Sequence, residues 1–316
     1  MSTTTTPSVP MPRTARPTLR ERFRNPWGAP RVLGLVTGLY ILWSLVPVLL
    51  AIRFAFNEGR SRTSGQGWSL RWFWEDPNLS VFNDPTLQEA LRHSLELAAI
   101  VMLLSVPLGT GLALGMRRWR GPGAAVANLL MLLPLVTPEL VLAVGLFLLF
   151  TTAFGFIGLG TEAQAIGQVA FTLSWVVLIV RARLQTIGPE VEEAAADLGA
   201  PPLDVVRRVL LPLLLPAMAV SLLVSFALSI DDFVVSQYLA SGSDTTTVPM
   251  RIYAQARGAP TPALNALATL MLVVSLLALV LAYVVYRAST RGEKQPARRG
   301  AGIGALATID AGGGRS

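Results

Sequence analysis

The stretch EVEEAAADLGAPPLDVVRRVLLPLLLPA, Glu190 to Ala217, follows Pro189 and leads from a polar loop into an apolar run. Pro189 with Glu190, Glu192 and Glu193 makes a helix start. Proline suits the first turn, and acidic residues there face the positive end of the helix dipole. The Ala-rich run behind them predicts a short helix that stops near Gly199, which can take the left-handed geometry of a C-cap. Pro201 and Pro202 hold the turn. A second, amphipathic helix is expected through Leu203, Val206 and Val209, with Arg207 and Arg208 on its other face. Leu211-Pro212 then leads into the next apolar run. Most connections are short, so the ordered loop 184–212 reads as a compact helix–turn–helix knob. An interfacial amphipathic helix without a partner is the plainer reading of the same pattern.

Around this knob the chain is strongly apolar. It is 52% hydrophobic and 14% charged, with a mean hydropathy of +0.54, whereas a soluble domain carries roughly a quarter charged residues. Apolar runs at 32–56, 91–116, 124–150, 163–183, 213–240 and 264–286 each approach the roughly 20 residues that cross a bilayer. They predict an all-α polytopic membrane protein with six transmembrane helices occupying 32–287. Basic tails at 1–31 and 288–316 are expected to be disordered. The run from Val32 to Phe56 is too long for a signal peptide and lacks its cleavage site. An organelle transit peptide is the alternative for the Arg-rich start. No internal repeat is visible, which weakens transporter folds built from inverted halves.

The net charge of +7 raises nucleic acid as a partner, but the basic residues sit in tails and short loops between apolar runs. That distribution carries membrane topology, not a nucleic-acid footprint. Placing the N-terminus inside puts 19 Lys and Arg on that side against 7 on the other, so both termini are expected in the cytoplasm. The chain has no cysteine and a single histidine, His93, which excludes disulfides, thiolate metal sites, cysteine nucleophiles and His-rich sites. In the outer loop 57–90, Trp68, Trp72, Phe73 and Trp74 beside Glu75 and Asp76 read as a segment lying on the membrane surface. A docking surface for an external partner is the alternative.

Ionisable residues at membrane depth cost about 2.5–3.5 kcal/mol on insertion scales, so each needs a reason. Glu139 falls near the middle of the third run, and Asp231 and Asp232 in the outer part of the fifth. Glu96 lies near enough to the outer surface to be solvated. At 100° per residue, Ser221, Ser225, Ser229, Asp232 and Ser236 share an arc of about 80° on a continuous helix. Small polar residues in a stripe can simply let helices pack closely. A carboxylate on the same line favours a wetted pathway, with Asp232 toward the substrate and Asp231, about 100° away, capping or pairing with a neighbour. Carboxylates in a pathway suit a cationic substrate.

Glu193-Ala194-Ala195, three residues, Gly199, nine residues, Val209, one residue, Leu211-Pro212 resembles the signature loop of binding-protein-dependent ABC importer permeases. That pattern is EAA, three residues, Gly, nine residues, Ile, one residue, Leu-Pro, and Val209 for Ile is the one departure. SFALSIDDFVVSQYLASG (Ser225–Gly242) and VPMRIYAQARGAPTPALNALATL (Val248–Leu270), with NPWGAP and SLRWFWE…FNDPTLQEALRHSLELA earlier, are similar to spermidine/putrescine permeases. The similarity covers about residues 30–287. It implies a type I importer permease fold in a bacterial inner membrane. It also implies a second permease of a different chain, a dimer of ATPase subunits and an external substrate-binding protein. No Gly-x-x-x-x-Gly-Lys-Ser/Thr loop occurs, so ATP and Mg are expected on the partner ATPase, with no cofactor on this chain and no enzymatic activity of its own. The resemblance further implies that Glu193, Ala194, Ala195, Gly199, Val209 and Pro212 meet the ATPase. The remaining alternatives are permeases for another amine, an opine or a phosphonate, an ion-coupled secondary transporter, and a membrane scaffold.

Overall fold

A computed structural model describes residues 31–61, 64–119, 121–258 and 262–290. The expected disordered tails lie outside the described residues, except that Arg31 begins one helix and 288–290 end another. The chain divides into two units, Met1–Arg53 and Phe54–Ser316. Helix α1 (Arg31–Ala55) supplies the described part of the first unit and ends just inside the second. It is apolar on all sides and contains Pro47.

The second unit is helical among its described residues, apart from an isolated bridge between Asn57 and Trp68. Its elements are α2 (Pro85–Arg118), α3 (Ala124–Val136), α4 (Glu139–Leu148), α5 (Thr161–Ile187) and α6 (Glu190–Asp197). They continue with α7 (Pro202–Ile230), α8 (Val234–Leu239), α9 (Val248–Arg257) and α10 (Pro262–Thr290). Among the described residues five helices, within α1, α2, α5, α7 and α10, are long and apolar enough to cross a membrane, and six spans result if the bent pair Ala124–Val136 and Glu139–Ala153 counts as one.

Three sequence expectations need correction. The run 124–150 is a bent pair, α3 followed by Glu139–Ala153, which turns through 109° at Thr137-Pro138. Proline disfavours helical geometry in the residue before it, and Thr137 is extended accordingly. The run 213–240 is likewise broken, because α7 ends at Ile230 and α8 begins at Val234. A stripe continuous through Asp232 and Ser236 therefore does not exist as a single helical face. Third, the amphipathic helix expected at Leu203–Val209 is the first part of α7. A π-helical segment at Val205–Leu210 rotates its face. Val205, Leu210 and Leu214 are buried, while Leu203 is 76% exposed.

Helix α2 starts six residues earlier than its apolar run, for a local reason. Asp84 accepts hydrogen bonds from the Thr86 backbone N–H at 2.8 Å and from its hydroxyl at 2.7 Å, with Pro85 in the first turn. The core between α2 and α5 rests on close approach. A Cβ on Gly109 would lie 2.6 Å from Val176, and one turn away Ser105 and Thr172 share a hydrogen bond of 2.6 Å. Lipid tails are as apolar as leucine, so such contacts and interhelical hydrogen bonds, rather than escape from water, hold spanning helices together.

The loop after α1 is a folded cap and not a segment lying free on a surface. The Trp72 indole N–H donates to the Asn57 carbonyl at 2.6 Å, and the side chain is wholly buried. It packs in one cluster with Phe73, Val81, Leu87, Ile230, Val248 and Leu267. Trp68 and Trp74 are exposed. Burial pushes the Asp76 carboxyl up, but the backbone N–H groups of Asn78 and Leu79 and the Arg71 guanidinium outweigh it. The result is a carboxyl held below its ordinary range.

Candidate functional site

The two helix breaks meet. Glu139 opens α4 directly after the Thr137-Pro138 bend, and Asp231 and Asp232 fill the gap between α7 and α8. All three line one cleft of about 390 Å³, together with Ser229 and, from α5, Gln168. Irregular backbone at membrane depth is tolerated only where protein buries it or where it lines a cavity. Here Asp231 and Asp232 in one break and Glu139 beside the other line the cleft.

Asp232 is fixed tightly. Its Oδ2 accepts from the Ser236 backbone N–H at 2.8 Å, the Ser236 hydroxyl at 2.7 Å and the Gln168 amide at 3.0 Å. The carboxylate thus satisfies the exposed start of α8. Glu139 lines the same cleft from the start of α4. Asp231 is exposed and receives only long contacts of 3.4 Å from the Ser275 hydroxyl on α10. Among the described residues no set of three metal-ligating side chains clusters here.

The serines divide. Ser229 donates to Gln168 Oε1 and touches the cleft. Ser236 is buried and engaged with Asp232 and Gln168. Ser221 and Ser225 are also fully buried, and their hydroxyls have no hydrogen-bond partner. Their place is on the packed face of α7. Glu96 pairs with Arg92 at 2.6 Å on the same helix, and both side chains are largely exposed.

Gln164 and Gln168, one turn apart on α5, are the groups that sequence reading missed. Gln164 donates to the carbonyls of Ser236 and Thr245 at 3.0 and 2.9 Å, and meets His93 Nε2 at 2.9 Å. These amides stitch α2, α5, α8 and the loop before α9 into one buried network. A search for charge at membrane depth passes over neutral amides. Their signal is the pair in QAIGQ, where two large polar side chains fall on one face of an apolar helix.

At the opposite end of α5 stands the knob. Helix α6 ends in a Schellman arrangement: Gly199 N–H bonds the Ala196 carbonyl at 2.8 Å, and Ala200 N–H bonds the Ala195 carbonyl at 3.1 Å. Gly199 has φ +80°, the left-handed region that side chains with a Cβ resist. No atom would crowd a Cβ there, so backbone conformation alone selects the glycine. Glu193, Ala194 and Gly199 are exposed, Ala195 and Val209 are half-buried, and Pro212 is exposed near the base of α7. Leu198 is 89% exposed, which places a large apolar side chain at the tip.

Comparison with known proteins agrees with this architecture. Residues 105–294 match the family model of the binding-protein-dependent transport system inner membrane component. The spermidine/putrescine transport system permease protein PotC of Escherichia coli (strain K12) is 32% identical over 259 residues, 82% of this chain and 95% of that protein. The putrescine transport system permease protein PotI of the same strain is 32% identical over 285 residues, covering 88% and 98%. The fold is similar to that of a chain from a bacterial ABC transporter involved in the import of the acidic polysaccharide alginate. That match has a TM-score of 0.64 and 18% identity, and covers 86% of this chain and 98% of the other. The chain belongs to the family of binding-protein-dependent transport system inner membrane components, and is a permease subunit of the ABC importer class.

Proposed function

We propose that this permease passes a small cationic amine of the polyamine class, driven by ATP hydrolysis in a separate subunit that docks on the α6 knob. The observation that carries the substrate half is the convergence of Glu139, Asp231 and Asp232 on one cleft built from two helix breaks. Three carboxylates at membrane depth are costly, and a cationic cargo offsets that cost where a neutral or anionic one does not. Phe171, Val224, Leu228 and Leu279 share the walls. They suit the methylene segments of an aliphatic amine, and an aromatic face attracts a nearby ammonium group. The relatives named above as polyamine permeases support the same reading.

The coupling half rests on α6. Glu193, Ala194 and Ala195 offer one charge and small side chains on an accessible helix, and Gly199 sets the turn that presents Leu198. Val209 and Pro212 connect the knob to α7, whose far end carries Asp231 and Asp232. A push on the knob therefore reaches the cleft along one helix. The assembly comprises an ATPase dimer, a second permease of a different chain and an external substrate-binding protein. On this reading α6 and both termini face the cytoplasm, which the excess of Lys and Arg on that side supports, and the family supports a bacterial inner membrane.

The test is reconstitution of the complete complex in lipid vesicles with its binding protein, followed by measurement of spermidine uptake. ATP-dependent accumulation of spermidine, absent when the ATPase is omitted, is the expected result. Import of an opine, a phosphonate or another solute with spermidine ignored would overturn the substrate assignment. Uptake by this chain without any ATPase would overturn the mechanism.

A further inference from the structure

Arg117, at the end of α2, reaches both sides of the corner that joins α5 to α6. Its guanidinium donates to the Leu184 carbonyl in the last turn of α5 at 3.2 Å and to the carbonyl of Gly188, which caps that helix, at 2.7 Å. The same group lies 3.2 Å from Glu192 in the first turn of α6. Arg118 closes on the other oxygen of Glu192 at 2.7 Å. The Glu192 side chain is 19% exposed and that of Arg117 22%. Each charge is therefore at a helix end of opposite sign: a cation on the C-terminus of α5, an anion on the N-terminus of α6.

Exposed ion pairs contribute little, but the Arg117–Glu192 pair is half-buried and tied to backbone carbonyls, and the more exposed Arg118 adds a second contact. Gly188, with φ +77°, makes the corner itself flexible in kind, since glycine is the residue least restrained there. Without a brace, a pull on α6 could be absorbed by rotation at Gly188. With the brace, α6 cannot swing without carrying the end of α2. Helix α2 packs along both α5 and α7 in the core.

We propose that Glu192, gripped by Arg117 and Arg118, is a positioning residue that makes α6 and the cytoplasmic end of α2 move as one body. It rests on the reading of α6 as the coupling helix, and it adds a second route into the transmembrane bundle besides α7. Loss of the grip leaves the knob able to dock but lets its motion dissipate at Gly188.

The chain lacks cysteine, so spin labels can be placed singly. Labels at Asp197→Cys and Gly115→Cys report the distance from the end of α6 to α2 in the reconstituted complex. In the otherwise unaltered chain that distance is narrow and the same without nucleotide and with ATP trapped by vanadate. Glu192→Ala broadens it and makes it change on ATP trapping. It also lowers spermidine uptake per ATP hydrolysed about fivefold, the low end of coupling between sites. Glu192→Asp, which keeps the charge and both acceptor oxygens, recovers more of both than Glu192→Gln, whose amide turns N–H donors toward one arginine. A distance that shifts with ATP in the unaltered chain would overturn the proposal, as would Glu192→Ala leaving width and uptake ratio unchanged. If Glu192→Ala has no effect while Gly199→Val uncouples, the brace alone is wrong. If Gly199→Val also leaves coupling intact, the coupling role of α6 falls with it.

Discussion

The knob and the cleft sit at opposite ends of α7 and are built by opposite means. The knob is contiguous: within Pro189–Pro212 a proline start, a glycine stop and a proline turn fix the geometry by local rules. The cleft is assembled from residues scattered between Glu139 and Leu279, brought together by two failures of helix continuity. A contiguous device can be read from order and spacing alone. An assembled one depends on where helices stop, and that is decided by packing.

The contrast predicts different failures. The largest effect belongs to the knob. Gly199→Val forces a β-branched residue into left-handed backbone, at a cost on the order of 1–3 kcal/mol. Uptake per ATP should fall at least about tenfold, within the usual range of coupling energies, while the chain inserts normally. Gly199→Asp should uncouple in the same direction but less, because aspartate tolerates that backbone better. Side-by-side assays of ATP hydrolysis and uptake separate these outcomes from simple loss of the complex.

Cleft variants come next and should fail differently, losing transport through a pathway whose coupling is intact. Asp232→Asn and Glu139→Gln each lower spermidine transport about tenfold, the size of a lost hydrogen bond to a charged group. Asp231→Asn lowers it about twofold, as an exposed ionic contact should. An equal loss at all three positions would erase the distinction between fixed and exposed carboxylates. Gly167 tests the scaffold beneath them. A Cβ there would lie 2.7 Å from Leu239 and 2.8 Å from Val235 on α8. Gly167→Val should cost about 1–3 kcal/mol of stability through overpacking, seen as earlier thermal aggregation of the purified chain.

The smallest effect lies in the outer cap. The carboxyl of Asp76 titrates lower when folded than when unfolded. Its contribution is complete above the unfolded value, about 3.9, and disappears as pH falls through the folded one, because the unfolded chain then takes up the proton first. Fluorescence of the buried Trp72 should report loosening of the cap in that acidic window. Asp76→Asn should loosen the cap at neutral pH and remove the dependence.

Legibility in the sequence follows the same division. The spans, the short helix ending at Gly199 and the carboxylates Glu139, Asp231 and Asp232 inside apolar runs were readable because hydropathy, caps and intramembrane charge are local signals. The break at Ile230–Val234 was not, because no proline or glycine marks it. The Asp-Asp pair can sit in a helix end or a gap, and the bonds from Ser236 and Gln168 to Asp232 select the gap. The serine stripe failed for that reason, since Ser221 and Ser225 are packed, Asp232 lies in the gap and Ser236 on another helix. Gln164 and Gln168 carry no charge, so only their partners on distant elements reveal their roles. Glu192 was visible as one acid among several at a helix start, and its grip depends on Arg117 and Arg118 arriving from α2.

The central claim is that this permease joins a cation pathway to ATP hydrolysis performed elsewhere, through α6. The most direct measurement is the ratio of spermidine imported to ATP hydrolysed by the reconstituted complex, for the unaltered chain and for Gly199→Val. A ratio that collapses in the variant while ATP hydrolysis continues is the predicted result. An unchanged ratio, or spermidine uptake indifferent to ATP in the unaltered complex, would contradict it.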